Sequence, residues 1–387
     1  MYAPAPLGRR HVLVAGERIV AVTGDRPEIA GVELEAVDLG GRRLVPGLVD
    51  AHVHTTGGGG EAGPETAAPA PGLSAYTLAG VTSVVGLLGT DDTTRTTAGL
   101  LRQTYGLRRE GLSAWAWTGG YHLPPTTLTG TVRGDVALVE PIIGFGELAL
   151  SDHRSSQPTF EEVARVAADC HVAGLMSGKA GVLHVHLGDG RRGLEVLRRV
   201  LSETEIPARA LHPTHVNRRS GLWAEALALA ADGVTVDVTA FPPAFAEPAP
   251  AEAGDDEVLA ADAVVAFLDS GLPAERLTVS SDGGGCLPRF RDGVLERMDF
   301  ATSGALADLL ADLLARGVPL ERALPPFTST PGDHLRLSRG RLAPGASADL
   351  VVLGDDDRPT DVMARGRWHV RDGRAVVRGT FERPAAP

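Results

Sequence analysis

Short apolar stretches alternate with amphipathic segments through the middle of the chain. The intervening segments, such as EEVARVAADCHVAG and GALADLLADLLARG, carry apolar residues at three- and four-residue spacing, which predicts helices. The apolar stretches predict strands, and they are LVDAHVH, VTSVVGLLG, SAWAWTG, IIGFGELAL, VLHVHLG, LHPTHV, VTVDVT and LTVSSDG. Eight strands with interleaved helices predict an α/β fold, a (β/α)₈ TIM-like barrel over residues 48–339.

The two ends of the chain have a different pattern. Residues 11–24, 34–47, 348–354 and 361–379 are short alternating stretches broken by glycine turns. We expect residues 1–47 and 340–387 to fold together as a small β-sandwich domain beside the barrel. Within the barrel region, residues 246–257 (AEPAPAEAGDDE) predict an inserted surface loop, because they are rich in proline, alanine and acidic residues.

Composition narrows the possible partners and compartments. The net charge of −12 argues against nucleic acid or an anionic membrane surface as the main partner. The opening residues MYAPAPLGRR contain no apolar signal region, and no apolar run reaches the roughly 20 residues that a membrane-spanning helix needs. The only cysteines are Cys170 and Cys286, which excludes a disulfide framework. We therefore expect a cytoplasmic protein.

Histidines and an aspartate stand at the ends of four predicted strands. In a parallel barrel these ends meet at one mouth, and residues two apart in a strand face the same side. His52 and His54 therefore point together into the mouth, where His186, His215 and Asp282 join them. Each residue alone would be explained as a hydrogen-bonded core or surface residue. Together they predict a metal site.

Glu147 interrupts the apolar stretch IIGFGELAL. A buried, unpaired carboxylate is costly, so a cation should face it. We predict that Glu147 bridges two metal ions; the alternative is a salt bridge to an arginine inside the barrel. His184 shares the inward face with His186, one step deeper, and is expected to be a core residue or a partner behind the ligands rather than a sixth ligand.

Several motifs along nearly the whole chain resemble the amidohydrolase superfamily, and more closely its isoaspartyl dipeptidases (β-aspartyl peptidases). His-x-His marks the superfamily only, whereas GGGGEAGP and VVGLLGTD are more specific to the dipeptidases. The remaining motifs are TGGYHLP, LSDHRSSQP, HLGD, PTHVNR, SSDGGG and LAPGASADLVVL. The resemblance implies a metal-dependent hydrolase that cleaves the isopeptide bond of β-aspartyl dipeptides with a hydroxide bridging two divalent metal ions. It also implies a homo-oligomer.

The resemblance assigns a role to each matched position. His52 and His54 resemble ligands of the first metal and His186 and His215 those of the second, zinc being the metal best matched to imidazole and carboxylate ligands. Asp282 resembles the aspartate that contacts the first metal and handles the proton. The matches that would contact a small zwitterionic dipeptide are Glu61 (ammonium), Gly59 and Thr90 (aspartyl part), Tyr121 (scissile carbonyl), and Arg154 and Arg218 (carboxylates).

Two of these matches have alternatives that stay open. Arg154 either contacts substrate, or pairs with Asp152 or caps the following helix. Arg219 is a rival for the role of Arg218.

Two positions depart from the family pattern. Glu147 stands where the family has a lysine carboxylated by carbon dioxide, and because glutamate is shorter, the strand or the metals must lie further inward. Cys286 stands where the family has a serine, and a thiol is a weaker hydrogen-bond donor, so recognition of the leaving residue's carboxylate is expected to differ. The alternatives are therefore another amidohydrolase, such as an N-acyl amino acid deacylase or a cyclic amide hydrolase, or a catalytically silent metal-binding homologue.

Overall fold

The computed structural model describes residues 1–241, 258–291 and 294–383, so the loop predicted at 246–257 lies outside the described residues. The described strands are β1 (His11–Ala15), β2 (Arg18–Thr23), β3 (Arg43–Pro46), β4 (Leu48–Val53), β5 (Val81–Gly86), β6 (Ser113–Thr118), β7 (Ile142–Leu150), β8 (Val182–Leu187), β9 (Leu211–Thr214), β10 (Val236–Thr239), β11 (Leu277–Ser280), β12 (Cys286–Arg291), β13 (Val294–Phe300), β14 (Leu350–Leu353), β15 (Pro359–Ala364), β16 (Arg367–Arg371) and β17 (Arg374–Ala375). The described helices are α1 (Leu73–Thr77), α2 (Thr97–Glu110), α3 (Val132–Leu138), α4 (Phe160–Ser177), α5 (Glu195–Glu203), α6 (Ser220–Ala231), α7 (Ala260–Asp269), α8 (Gly304–Ala315), α9 (Leu320–Ala323) and α10 (Ser329–His334).

A curled sheet of six parallel strands, β4 to β9 in sequential order, forms most of the barrel wall. The parallel pair β10–β11 supplies the rest. A bridge between Val53 and Gly283 and a bond from His54 N to Gly283 O (2.8 Å) join the end of β11 to β4. The strands are the eight that the apolar pattern predicts, so the TIM-like barrel and the mixed α/β class are confirmed.

Apart from the partly buried Trp115 in β6, the barrel strands are buried along their full lengths, which explains why their sequences are nearly continuous apolar runs. The helices between them begin and end at recognisable signals. Helix α4 starts with a capping box formed by Thr159 and Glu162, and ends at Gly178 with φ 72°. Within the described residues, no helix combines the length and the apolar character that crossing a membrane requires.

The chain ends meet in one antiparallel sheet of five strands, ordered β17-β16-β15-β14-β3. Strand β1 pairs with β2 as a separate hairpin, and Ile19 of this hairpin belongs to the same apolar cluster as Leu44 and Leu350. The strand predicted over 34–47 is mostly wrong, because only Arg43–Pro46 pairs with β14. The sandwich arrangement and the domain boundaries at 47 and 340 stay predictions.

Candidate metal and substrate site

His52, His54 and Asp282 lie together at the seam between the first and last barrel strands. The Nε2 atoms of His52 and His54 are 3.3 and 3.0 Å from Asp282 Oδ1. All three side chains are buried. The strand ends thus bring an imidazole pair and a carboxylate to one point in the barrel mouth, as the His-x-His spacing predicts.

Glu147 lies between His52 and the two remaining histidines of the predicted site, His186 and His215. Its Oε2 atom is 3.5 Å from His52 Nε2, 3.1 Å from His186 Nδ1 and 3.6 Å from His215 Nε2. A β-bulge in β7 produces this position, since Gly146 and Glu147 together lie opposite the single residue His184 of β8. The described partners of Glu147 are histidines rather than the arginine considered as an alternative. We call His52, His54, Glu147, His186, His215 and Asp282 the ligand cluster.

Two members of the ligand cluster have unusual backbone angles. His215 has φ 60° and Asp282 has φ 54°, and each residue follows the end of a barrel strand. Non-glycine residues rarely adopt positive φ, and such strain concentrates at functional sites. The turn of the chain at these two residues directs the side chain of His215 toward Glu147 and that of Asp282 toward His52.

The donors of the ligand cluster fit divalent metal ions. Two groups have ligand atoms that all lie within 4.8 Å of one another: His52, Glu147 and His215, and His52, His54 and Asp282. Among the described residues, His52 Nε2 and Asp282 Oδ1 are buried atoms without a hydrogen bond. Buried polar atoms normally have a hydrogen-bond partner. A metal cation that accepts the lone pairs of these two atoms would supply the missing interaction.

The charges within the cluster support the same conclusion. Burial opposes the charge of Glu147, yet His52 and His186 hold the pKa of its carboxyl well below the usual range. The pKa of Asp282 is likewise lowered, despite burial, by His52 and His54. Burial lowers the pKa of His215 to about 3, which leaves its imidazole neutral and able to coordinate. Two ionised carboxylates beside the neutral imidazole of His215 are donors expected of a metal site.

Asp152 orients His186, whereas the sequence analysis considered it only as a partner of Arg154. Its Oδ2 atom is 3.0 Å from His186 Nε2, so the other nitrogen, Nδ1, faces Glu147. The hydroxyl of Tyr121 lies 2.9 Å from the same Nδ1. Hydrogen bonds from His186 and Arg154 lower the pKa of Asp152, although its burial opposes this.

Arg154 joins two carboxylates at the entrance to the cluster. It donates from Nε to Asp152 Oδ1 at 3.0 Å and from Nη2 to Asp152 Oδ2 at 2.8 Å. Its Nη1 lies 3.1 Å from Glu61 Oε1, and its guanidinium stands over the Tyr121 ring. The pairing with Asp152, one of the open alternatives, is therefore present together with a contact to the predicted ammonium-binding residue.

The predicted rivals Arg218 and Arg219 lie in different surroundings. Arg218 stands over the Phe241 ring, 5.7 Å from its centroid, and its Nε is buried without a hydrogen bond in the described part of the chain. Arg219 donates to Gly190 O at 3.1 Å. The role of either arginine toward substrate stays a prediction.

Gly59 and Cys286 lie against each other in the mouth. A Cβ at Gly59, where φ is +71°, would lie 2.7 Å from Thr66 O and 2.8 Å from Cys286 Sγ. No larger residue fits there without movement. Thr90, whose hydroxyl interacts with Tyr121, follows β5 in the same mouth. The predicted substrate residues are thus distributed around the ligand cluster.

Two further polar residues support the site and were not predicted. Asp50 accepts bonds from Ser281 N at 3.1 Å and Ser281 Oγ at 2.5 Å, and so fixes the residue before Asp282. Asp92 lies 2.5 Å from His122 Nδ1, beside Tyr121. Asp50 could have been found, because it shares the period-two face of His52 and His54.

Comparisons with known proteins agree with this geometry. The amidohydrolase family model matches residues 43–369. The β-aspartyl dipeptidase of Fervidobacterium islandicum AW-1, solved in complex with a β-Asp-Leu dipeptide, is 38% identical over 96% of this chain and 95% of that chain, with a TM-score of 0.87. Another structure of a dipeptidase of the same description is 36% identical over 97% and 96%, also with a TM-score of 0.87.

Two further proteins are less similar to this chain, one because the identity is low and the other because the matched segment is short. A dihydropyrimidinase from Brevibacillus agri NCHU1002 shares the fold at 16% identity, over 97% of this chain and 96% of that chain, with a TM-score of 0.62. A curated dihydroorotase of Geobacillus kaustophilus (strain HTA426) is 43% identical over 56 residues, which is 14% of this chain and 13% of that protein. This last match covers too little of either protein to bear on activity.

Proposed function

Because this chain belongs to the amidohydrolase family and, within it, to the β-aspartyl dipeptidases, we propose that it hydrolyses the isopeptide bond of β-aspartyl dipeptides. The observation that carries the proposal is the position of the Arg154–Glu61 pair beside the ligand cluster. Arg154 Nη2 lies 3.4 Å from His186 Nε2, so a cation and an anion for a zwitterion stand next to the metal ligands. Opposite charges on a small substrate match this pair.

The ligand cluster would hold two divalent metal ions, with Glu147 between them. Imidazole and carboxylate donors suit zinc best among the common divalent metals. When bound, such ions bring the pKa of a water close to neutrality and polarise a carbonyl oxygen. Glu147 replaces the carboxylated lysine of the family pattern, and its contacts with His52, His54, His186 and His215 support this role.

Asp282 and Tyr121 would carry the proton and charge transfers that belong to the protein. The ionised carboxylate of Asp282 accepts a proton from the attacking water and passes it to the leaving amine. The hydroxyl of Tyr121 donates a hydrogen bond to the developing oxyanion. Burial, reinforced by the charge of Glu147, raises the pKa of Tyr121 well above its usual range, so its proton is retained for this purpose.

The substrate would lie across the mouth between Glu61 and Arg154. Glu61 receives the α-ammonium, Arg154 and Arg218 receive carboxylates, and Gly59 and Thr90 contact the aspartyl part. The half-buried thiol of Cys286 lies against Gly59 and would meet the leaving residue. A small β-sandwich domain of residues 1–47 and 340–387, a cytoplasmic location and a homo-oligomer remain parts of the proposal that rest on sequence.

A substrate screen with zinc-loaded protein tests the proposal. The panel contains β-Asp-Leu, the α-linked isomer and N-acetyl-leucine, each assayed by release of leucine. We expect turnover of β-Asp-Leu at least tenfold above the other two, and loss of this turnover in Asp282→Asn. Faster cleavage of N-acetyl-leucine would replace the proposal with a deacylase, and turnover of none of the three, with metal bound, would favour a silent homologue.

A further inference from the structure

A layer of polar side chains lies in the barrel interior directly beneath the ligand cluster. It consists of His184 on β8, His212 on β9, Asp237 on β10 and Thr278 on β11, and we call it the polar layer. His184 pairs in register with His212, and Asp237 with Thr278. All four are completely buried. Barrel interiors are ordinarily filled by branched apolar residues, so this layer needs a reason.

Consecutive hydrogen bonds run from the ligand cluster through this layer. His52 Nδ1 lies 2.8 Å from His184 Nε2. His184 Nδ1 lies 3.0 Å from both His212 Nδ1 and His212 O. His212 Nε2 lies 2.9 Å from Thr278 Oγ1, which donates to Asp237 Oδ1 at 2.6 Å. These hydrogen bonds therefore link His52, a predicted metal ligand, to the carboxylate of Asp237 through three intervening side chains.

The donors and acceptors fix the direction of this chain at two independent points. The carbonyl of His212 only accepts, so His184 Nδ1 carries a hydrogen, and a neutral His184 then has an acceptor at Nε2. At the far end, the hydroxyl of Thr278 is donated to Asp237, so its oxygen accepts from His212 Nε2. Both constraints require the hydrogen of His52 to be on Nδ1.

The remaining nitrogen of His52 is the one that faces the other ligands. With the hydrogen on Nδ1, the lone pair is on Nε2, which lies 3.5 Å from Glu147 Oε2 and 3.3 Å from Asp282 Oδ1. The ring of His184 is itself fixed by Trp117, which stacks on it at 4.8 Å with an interplanar angle of 11°. The indole nitrogen of Trp117 in turn donates to Ala51 O at 3.1 Å.

We propose that His184 is a positioning residue, and that the polar layer holds His52 in the tautomer and ring orientation that direct Nε2 toward a metal. This inference rests on the metal site of the proposed function. The partner of the non-coordinating nitrogen of a ligand histidine commonly changes metal affinity about 10- to 100-fold when it is removed. The same histidine acting only as core filling would leave metal affinity unchanged.

Two variants at position 184 separate these roles. His184→Gln offers an oxygen acceptor near the place of Nε2, whereas His184→Leu offers none. Zinc affinity is measured by competition with a chromophoric chelator, with circular dichroism to check the fold. We expect His184→Leu to bind zinc about 10- to 100-fold more weakly, and His184→Gln to recover most of that loss. Affinity in a folded His184→Leu within about twofold of wild type would overturn the inference.

A measurement on the unmodified sequence removes any dependence on variant folding. Long-range proton–nitrogen NMR of the wild-type protein, after its metal is removed with a chelator, reports which imidazole nitrogen carries hydrogen. We expect Nδ1–H on His184 and Nε2–H on His212, which leaves His184 Nε2 as the acceptor for His52. A hydrogen on His184 Nε2 would overturn the inference and leave the proposed function intact, whereas failure of the wild-type protein to bind zinc would reject both.

Discussion

Arg154 Nη1 lies 3.1 Å from Glu61 Oε1, so the residues predicted to recognise opposite charges of a substrate neutralise each other. Both side chains are about a quarter exposed, which leaves the pair accessible from the mouth. A zwitterion that enters can replace the Arg154–Glu61 ion pair with two new ones, one to each of these residues. A neutral molecule would not replace this ion pair, and a singly charged one would leave one partner without compensation, so we expect the pair to discriminate by charge before any chemistry occurs.

Replacing Glu61 with glutamine should weaken catalysis of free dipeptides. Losing one partner of a charge-assisted contact in an enclosed site typically costs about 2–5 kcal/mol. We therefore expect Glu61→Gln to lower kcat/KM for β-Asp-Leu at least tenfold, since about 1.4 kcal/mol corresponds to one decade. The matched control is Glu65→Gln, an exposed glutamate in the same loop, which should behave as wild type.

An N-acetylated substrate tests the assignment of the ammonium to Glu61. It has no positive charge, so it should be poor for the wild-type enzyme and should lose little more in Glu61→Gln. Equal losses on the free and the acetylated dipeptide would show that Glu61 acts through the fold or through Arg154 instead.

Tyr121→Phe should reduce the rate of the chemical step. The variant keeps the ring that packs beneath Arg154 and removes only the hydroxyl. Removing one oxyanion donor typically lowers kcat by about 10²- to 10³-fold. We expect a fall of that order in kcat with little change in KM or in zinc content, and no effect of Tyr105→Phe on the exposed face of α2. A change confined to KM would assign Tyr121 to substrate binding.

Glu147→Gln should reduce the number of bound metal ions. Elemental analysis of wild-type protein loaded with excess zinc should give about two equivalents per chain, as expected of a two-metal site. Amidation removes the charge that two ions share, so at least one equivalent should be lost, while Glu140→Gln on the surface should keep both. A wild-type content of one equivalent or fewer would contradict the two-metal proposal.

Activity should not depend on bicarbonate. Lys179 is the only lysine in the sequence, and its ammonium donates to the carbonyls of Val136, Val139 and Ile142 at 2.7, 2.6 and 3.0 Å. These contacts lie where β7 begins, at the end of the barrel opposite the ligand cluster. Reconstitution with zinc should give equal activity with and without bicarbonate, and Lys179→Met should keep its zinc. A bicarbonate requirement abolished by Lys179→Met would show that a carboxylated lysine forms after all.

Acid should destabilise the protein through His369. This histidine on β16 is fully buried, its ring nitrogens have no hydrogen bond among the described residues, and burial lowers its pKa to about 4. In the unfolded chain the pKa is about 6.5, so the unfolded state binds more protons between pH 6.5 and 4. Its contribution is present above pH 6.5 and is lost as the pH falls to 4.

The size of this effect follows from the shift, and amounts to roughly 3 kcal/mol in the free energy of unfolding. Denaturant unfolding of His369→Leu across this pH range should show a shallower loss of stability than wild type. Above pH 7 the two proteins should have parallel pH dependence. If the stability of the two proteins fell with the same slope between pH 6.5 and 4, the folded protein would accept a proton on His369 without losing stability. That result would contradict the prediction.

The sequence predicted the barrel strands and the ligand cluster for the same physical reason. Strands buried on both faces leave continuous apolar runs, and parallel strands bring their last residues to one mouth, so His52, His186 and His215 could be placed together from position alone. The Asp152–His186 contact could not be anticipated, because it depends on the loop after β7, where Ser151 has φ 51°.

The alternating apolar and polar pattern at residues 34–42 predicted a strand that does not form, for a different reason. Period-two patterning produces a strand only where a partner edge is available, and β14 is paired only with Arg43–Pro46 on this side. Most residues of this segment are exposed. The polar layer could be predicted only in part. The sequence placed His184 on the inward face of its strand. Its partners lie on other strands, and the relative heights of those strands in the barrel could not be obtained from the sequence.

Among the described residues the β10–β11 pair shares no continuous backbone ladder with β9 or β4, and side chains supplement the few backbone bonds that join it to them, such as His54 N to Gly283 O. On one side the side chain of Asn217 donates a hydrogen bond to Thr239 O and accepts one from Thr239 N. On the other side Asp50 accepts a hydrogen bond from Ser281 N. Such a unit can open locally without breaking the six-stranded sheet, so its amides should exchange with solvent sooner than those of β4 to β9. Asp282 follows directly from this unit. The carboxylate proposed to move the proton therefore stands at the end of the part of the barrel wall that we expect to open most readily.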